Sequence, residues 1–188
     1  SRRRVRNLAG LFAVDAFAGG LVIQSFVALW FALTFPGEAG LVGTVFFGAG
    51  VVSALSFLLA ARLGERFGLI ETMVFSHLPS NVLLLLVPLA PTFTLALSIY
   101  LARMSLSQMD VPTRQAYLAG IVAPGERTAA NAWTNGTRNV AQAAGPFSAS
   151  SLVLLAGLAS PFYVSGVLKI AYDLAVYRGF RRVRPEPG

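Results

Sequence analysis

Residues 8 to 35 read LAGLFAVDAFAGGLVIQSFVALWFALTF, an apolar run with a single charged residue, Asp15. A helix that crosses a bilayer needs roughly 20 mostly apolar residues, so this run is long enough to span one. The preceding RRRVR and the small residues of AFAGG are also typical of a secretory signal peptide. Because the apolar run continues past AFAGG through LVIQSFVALWFALTF, we interpret it as a transmembrane helix.

The whole chain has the composition of a membrane protein. Of its 188 residues, 55% are hydrophobic and 12% are charged, and its mean hydropathy is +0.67. Soluble domains carry about 25% charged residues. The net charge of +7 comes from basic residues at the chain ends and in short gaps between apolar runs. This distribution fits membrane topology better than a nucleic-acid surface, so we expect membrane lipid as a partner and no nucleic acid.

Several kinds of chemistry lack the residues they need. The chain has no cysteine and one histidine, His77, which excludes disulfides, cysteine nucleophiles and multi-histidine metal sites within it. It also contains no phosphate-binding Walker loop, no HExxH zinc motif and no GxSxG nucleophile motif. We therefore expect no metal, no cofactor and no enzymatic activity, and an intramembrane enzyme is the least favoured of the functional classes.

Five further stretches of spanning length follow when the chain is divided at its proline, glycine and arginine residues. They are rich in leucine and alanine and lack the alternation of barrel strands, so they are predicted to be helices. Basic residues 1–7 and the tail 181–188 flank the predicted bundle, which covers residues 8–180. The six predicted transmembrane helices are 8–35, 39–61, 69–89, 92–111, 127–158 and 161–180.

Arginine residues mark one side of the predicted bundle. They precede the first span, follow the sixth, and lie between the second and third and between the fourth and fifth. The gaps PGEAG, LAP and GLAS contain no basic residue. Because basic loops remain in the cytoplasm, we predict an integral protein of the plasma membrane with both termini of this segment cytoplasmic. The six spans then form two inverted three-helix repeats, an arrangement typical of transporters.

The fourth predicted span carries a polar stripe. Tyr100, Arg103, Ser107 and Asp110 follow a spacing of i, i+3, i+7 and i+10, which places them on one helix face. At 1.5 Å per residue, Arg103 lies roughly 16 Å from the outer edge, near the midplane. An ionised group at that depth needs a counter-ion, and we expect Asp15 to be a candidate.

Two interpretations of this Asp15–Arg103 pair stay open. The pair either neutralises itself for purely structural reasons, or it belongs to a pathway for substrate or protons. The candidate pathway residues are Asp15, Gln24, Trp30, Tyr100, Arg103 and Asp110.

The fifth predicted span begins with a second polar stripe, at i, i+4, i+7 and i+11. Its apolar part starts only after Arg138, so we expect the stripe to line the cytoplasmic mouth. Gly145 and Pro146 are then predicted to break the helix, as either a gating bend or a packing notch. The stripe consists of Asn131, Asn135, Arg138 and Gln142.

Three other polar residues have simpler structural interpretations. Lys169 and Asp173 are four residues apart on the sixth span and are predicted to pair with each other. His77 is expected to be hydrogen-bonded to small polar neighbours rather than to relay protons. Lys169 and His77 therefore rank below the pathway candidates.

Two cytoplasmic loops resemble motifs of the major facilitator superfamily. The segment ARLGERFG is similar to the family's G-x-L-x-D-R-x-G-R-K loop through Leu63, Arg66 and Gly68, with Glu65 in place of the aspartate. The passage from Asp110 to Pro146 contains the P-x-R-Q-A segment, the P-x-E-R turn and the terminal Gly-Pro found in many relatives. The resemblance covers nearly the whole chain.

The resemblance implies one half of a transporter, the carboxy-terminal six-helix half, with the amino-terminal half missing. We expect the chain, which opens with Ser1, to begin partway through a longer protein. The implied activity is secondary active transport of a small solute by alternating access, as uptake or efflux, with proton coupling an option. The alternative is a self-contained, homodimeric six-helix transporter or channel. The predicted cytoplasmic gate comprises Glu65, Arg66, Gly68, Arg114, Glu126, Arg127, Asn135 and Arg138.

Overall fold

The computed structural model describes the backbone of residues 2–181 and the side chains from residue 5 onward. Residues 182–188 of the predicted tail 181–188 and the side chains of the first four residues lie outside this description. Every regular element within residues 2–181 is a helix. The α-helices are α1 (Arg2–Leu21), α2 (Gln24–Thr34), α3 (Val42–Phe67), α4 (Leu69–Leu86), α5 (Phe93–Ser107), α6 (Asp110–Ile121), α7 (Arg127–Ala156) and α8 (Ser160–Phe180), with short 3-10 helices at Pro36–Leu41, Val87–Leu89 and Pro124–Glu126.

Three helical stretches of the described chain are long and apolar enough to cross a membrane. They are Val5–Thr34, Pro36–Phe67 and Leu69–Leu89, which overlap the first three predicted spans. The other three predicted spans correspond to α5, α7 and α8. Helix α5 has only 15 residues, and α7 and α8 carry charged residues within their length. The six-span arrangement therefore stays a prediction.

Two predicted spans are not single helices. The first consists of α1 and α2, which are separated by a short interruption before Gln24. The fourth ends its regular helix at Ser107, and α6 begins at Asp110 after a turn. The polar stripe from Tyr100 to Asp110 therefore crosses a junction between two helices.

The predicted break at Gly145 and Pro146 is wrong, because α7 runs without interruption for 30 residues. Gly145 packs directly against the backbone of Gly20 on α1, and a Cβ atom on either glycine would collide with the other helix. Proline leaves the carbonyl four residues earlier without its helical donor. That carbonyl, on Gln142, faces Gly20. The Gly-Pro pair is thus a packing notch between α1 and α7, the second of the two predicted alternatives.

Two apolar clusters form the core and leave a polar layer between them. One contains Phe12, Met73 and Tyr172, and the other contains Trp30 and Phe162. Asp15, His77 and Lys169 each fall along the chain between a member of one cluster and a member of the other. Helix α1 packs along α7 and α8, while α4 packs along α5 and α8. The polar residues of several helices therefore meet in the interior.

Candidate functional site

Asp15 is the centre of the polar layer, with 3% of its surface exposed. Its Oδ1 accepts a hydrogen bond of 2.6 Å from Lys169 Nζ, and its Oδ2 accepts one of 3.2 Å from Arg138 Nη1. His77 Nε2 lies 3.8 Å from Oδ1, and Arg114 Nη1 lies 3.9 Å from Oδ2. One carboxylate on α1 therefore joins basic side chains from α4, α6, α7 and α8.

A second buried carboxylate, Asp173, contacts His77 on the side of the ring that faces away from Asp15. Its Oδ1 lies 2.8 Å from His77 Nδ1, and its Oδ2 accepts a 2.8 Å hydrogen bond from Asn81 Nδ2. The predicted pairing of Lys169 with Asp173 is wrong, because Lys169 reaches across to Asp15 instead. His77 is also more than a residue bonded to small neighbours, since its ring lies between two carboxylates.

Asp110 and Arg114 form an ion pair within α6. Their i, i+4 spacing on a helix places the two side chains next to each other. The Arg114 guanidinium also lies 5.5 Å from the centre of the Phe12 ring on α1. This pair therefore connects the polar layer to the apolar cluster that contains Phe12.

A cavity of about 320 Å³ opens onto these residues. Side chains from α1, α4, α5, α6, α7 and α8 line it, together with Gln24 at the start of α2. Of the predicted pathway residues, all except Trp30 line the cavity. The lining residues predicted from the sequence are Asp15, Gln24, Tyr100, Arg103 and Asp110, with Arg114 and Arg138 from the predicted gate.

The predicted ion pair between Asp15 and Arg103 does not form. Both residues line the cavity, but the oxygens of Asp15 are occupied by Lys169 and Arg138. Arg103 Nη1 donates instead to the sulfur of Met104, at 3.3 Å. The two charges face the same space without contact.

Trp30 is a core residue and not a cavity residue, so its predicted place in the pathway is wrong. Only 2% of its surface is exposed. Its ring packs edge-on against Phe31, Phe35 and Phe162, with ring centres 5.1 to 5.8 Å apart. The ring is thus enclosed within the apolar cluster that contains Trp30 and Phe162, and it does not line the cavity.

The predicted gate residues divide into two groups. Arg114 and Arg138 reach the cavity, as described above. Gly68 joins α3 to α4 with φ of 99°, a conformation that glycine adopts at little cost. The others are exposed near the helix ends, and their role as a gate stays a prediction. The exposed members are Glu65, Arg66, Glu126, Arg127 and Asn135.

Lys169 and His77 rank below the pathway candidates in the sequence-based prediction, and Gln142 belongs there only to the second polar stripe. All three line the cavity. A basic residue inside an apolar helix is by default a candidate for a functional site, and this applies to Lys169, which is buried on α8. Lys169 was not chosen because Asp173, four residues away, offered a local partner. For His77, the sequence held no indication of the carboxylates on α1 and α8.

A cluster of buried charges around a polar cavity, in a strongly apolar chain whose regular elements within residues 2–181 are all helices, is typical of an integral membrane protein. The chain belongs to the Major Facilitator Superfamily, whose family model matches residues 8–188. The resemblance noted in the two loops is thereby confirmed, and the family implies a membrane transporter of the major facilitator type.

The chain is also similar to the uncharacterized membrane protein YJR124C of Saccharomyces cerevisiae, with 26% identity over 170 residues. The aligned region covers 89% of this chain and 38% of the relative, so the chain spans well under half of that relative's length. No solved structure was found to match the chain.

Proposed function

We propose that this chain is one six-helix half of a secondary transporter, which moves a small solute by alternating access around the cavity at Asp15. The observation that carries the proposal is the convergence of basic side chains from four helices on one buried carboxylate of a fifth helix, beside a polar cavity. Ionisable groups inside a membrane are costly and typically mark the path of a substrate or ion. In a family of transporters, such a cavity is expected to bind the solute.

Two helices have apolar faces that no other described residue covers, which supports the proposal of a second helical bundle as partner. Phe47 and Leu58 on α3 are 75% and 72% exposed, and Phe147 and Leu155 on α7 are 79% and 86% exposed. Lipid covers some of this surface, and we propose that an amino-terminal six-helix half covers the rest. The length that the yeast relative has beyond the aligned region is consistent with such a partner.

Coupling to protons is supported by the position of His77. Its Nδ1 contacts Asp173 at 2.8 Å, and its Nε2 faces Asp15 at 3.8 Å. A histidine between two buried carboxylates can take up and release a proton when one carboxylate gains or loses another partner. We propose that protonation of this group accompanies opening of the cavity to one side of the membrane.

Solute flux in proteoliposomes tests the proposal. The complete natural polypeptide that contains this chain is reconstituted, a pH gradient is imposed, and the accumulation of a library of small solutes is measured by mass spectrometry. We expect at least one solute to accumulate, and Asp15→Asn to lower its initial rate roughly a hundredfold, because a buried charge pair is broken.

Arg62→Gln is the matched control, because Arg62 is exposed on α3 and has no part in the cavity. Its rate should equal that of the unmodified protein. Flux that survives Asp15→Asn at full rate would contradict the proposed site, and passive flux without any gradient dependence or saturation would favour the channel alternative.

A further inference from the structure

Arg103 has no counter-ion among the described side chains. It lies on α5 and lines the cavity, and its Nη1 donates to the sulfur of Met104, which is a weak acceptor. Its Nε is inaccessible to solvent and has no hydrogen-bond partner. Within residues 5–181, no carboxylate oxygen lies within 4.0 Å of this guanidinium.

The neighbouring carboxylates are already neutralised by other groups. Asp15 accepts hydrogen bonds from Lys169 and Arg138, and Asp110 is paired with Arg114. Both oxygens of Asp15 are thus occupied, and Asp110 Oδ1, which has no hydrogen-bond partner, does not lie within 4.0 Å of the Arg103 guanidinium. The cationic charge of Arg103 is therefore in excess within this half of the protein.

The lining of the cavity has the same imbalance. It contains four arginine and lysine side chains but only two carboxylates, together with His77. The other carboxylate that contacts His77, Asp173, lies behind the ring and outside the lining. Because an uncompensated cation inside a membrane is strongly unfavourable, the surplus points to a negative charge that arrives from outside.

We propose that the cavity binds a small anion, a carboxylate or phosphate compound, with Arg103 as its principal counter-ion. This inference rests on the proposed transport function and names the chemical class of the solute. The guanidinium presents a planar fork of donors that matches both carboxylate and phosphate oxygens. A volume of about 320 Å³ is within the range of small-molecule sites. Tyr100, Gln24 and Gln142 line the same space and offer polar groups for the rest of the solute.

Binding to the complete natural polypeptide in lipid nanodiscs tests the inference. Thermal unfolding is followed during titration with sodium succinate and with sodium phosphate. Sodium chloride at equal ionic strength and the neutral polyol erythritol are the reference solutes. We expect one of the two anions to raise the melting temperature in a saturable manner. Arg103→Gln should raise the dissociation constant of that anion at least about tenfold, because a charge-assisted hydrogen bond is lost.

Two variants sharpen the test. Arg62→Gln removes an exposed arginine of α3 and should leave the dissociation constant unchanged. Arg103→Lys keeps the charge but loses the fork, so its dissociation constant should lie between those of the unmodified protein and Arg103→Gln. If Arg103→Gln does not fold, the titration of Arg103→Lys decides the question, and an unchanged dissociation constant there would overturn the inference.

The outcomes distinguish a carboxylate site from a phosphate site, and they distinguish failure of the anion site from failure of the proposed transport function. A shift with succinate alone identifies a carboxylate site, and a shift with phosphate alone identifies a phosphate site. The inference is overturned if neither anion exceeds sodium chloride, if erythritol binds as tightly, or if binding survives in Arg103→Gln. Binding requires no transport, so an anion site without solute flux would refute the proposed function and leave the site standing. Flux of a neutral or cationic solute without anion binding would support the proposed function and refute the anion site.

Discussion

At the scale of the residue, Asp15 determines the charge balance of the interior. Its carboxylate lies within 4.0 Å of Lys169, Arg138, Arg114 and His77. Removal of one partner from a buried ion pair leaves the other charge uncompensated, which typically costs about 3 to 5 kcal/mol. The stability of the bundle and its proposed function therefore depend on the same side chain. A second substitution that restores the balance of charge should recover stability without recovering transport.

Asp15→Asn is expected to lower the melting temperature of the complete protein, because Lys169 and Arg138 lose the negative charge that they contact. The double variant Asp15→Asn with Lys169→Met removes both charges and should recover most of this loss. Neither variant should recover transport. Thermal unfolding in detergent and solute flux, measured on the same preparations, check the two halves of this prediction. A double variant no more stable than Asp15→Asn would argue against the pair.

Trp30 is expected to contribute to stability and not to solute binding. Trp30→Ala removes a ring that is packed against three other rings, and the loss should be about 3 to 5 kcal/mol. Trp133→Ala is the matched control, since 64% of Trp133 is exposed, and it should cost less than about 1 kcal/mol. Thermal unfolding checks both. A change in the half-saturating solute concentration with Trp30→Phe, without loss of stability, would restore Trp30 to the pathway.

Several residues singled out from the sequence line one cavity, but the partners predicted for Asp15 and Lys169 were wrong. Helical spacing was sufficient to put Tyr100 and Arg103 on one side of α5, because that geometry is local, whereas Asp110 reaches the same cavity from α6. The partners of Asp15 come from four other helices, and pairing between helices depends on packing that a single sequence does not encode locally. The i, i+4 spacing of Lys169 with Asp173 was therefore a poor guide once Asp15 offered a closer oxygen.

At the scale of the element, the crossing of α1 and α7 fixes the shape of the cavity. Gly20 and Gly145 bring the two backbones into direct contact, so that neither helix has room there for a side chain. Small residues permit such close approach in membrane bundles, where packing rather than hydrophobic burial holds helices together. The crossing keeps Asp15 on α1 near Arg138 on α7.

Gly145→Ala is expected to destabilise the complete protein by about 1 to 3 kcal/mol, the usual cost of overpacking. Its new methyl group would overlap the Gly20 backbone. Gly136→Ala lies on the same helix with no atom near the added Cβ, so it should be neutral or stabilising by up to about 1 kcal/mol. Melting temperatures of the two variants check this. Equal values would show that the glycine contact is not needed.

Long apolar runs predicted the three helical stretches that are long and apolar enough to cross a membrane, since length and hydropathy decide that property, while the other three spans stay predictions. Interruptions were predicted poorly. The interval before Gln24 separates α1 from α2 without a proline, whereas Pro146 sits inside a continuous helix. Proline is tolerated in a membrane helix when neighbours accommodate the released carbonyl. Here that neighbour is Gly20, and its contact forms only in the packed bundle, so the sequence of α7 alone does not reveal it.

At the scale of the whole molecule, the uncovered apolar faces of α3 and α7 predict how the isolated chain behaves. Expressed alone, the 188-residue chain should dimerise or aggregate in detergent, because contiguous apolar surface of this kind seeks a partner. Light scattering coupled to size-exclusion chromatography measures the mass of the particle. A monodisperse, heat-stable monomer would contradict the two-half arrangement, and a functional dimer would favour the homodimeric alternative.

Alternating access of the cavity to the two sides of the membrane is the central claim, and thiol labelling tests it most directly. Gln142→Cys places a reactive thiol in the cavity lining, and this chain contains no native cysteine. Leu58→Cys is the control, since this apolar position on α3 should be covered by lipid or by the partner half. Both variants are made in the complete polypeptide after any other cysteines are replaced.

A membrane-impermeant, charged methanethiosulfonate is applied to vesicles of each orientation, with and without a pH gradient. We predict that the Gln142→Cys thiol is labelled from both sides, that the gradient raises one rate while it lowers the other, and that the Leu58→Cys thiol stays unlabelled. Labelling of Gln142→Cys from a single side under every condition, or from neither side, would contradict the account.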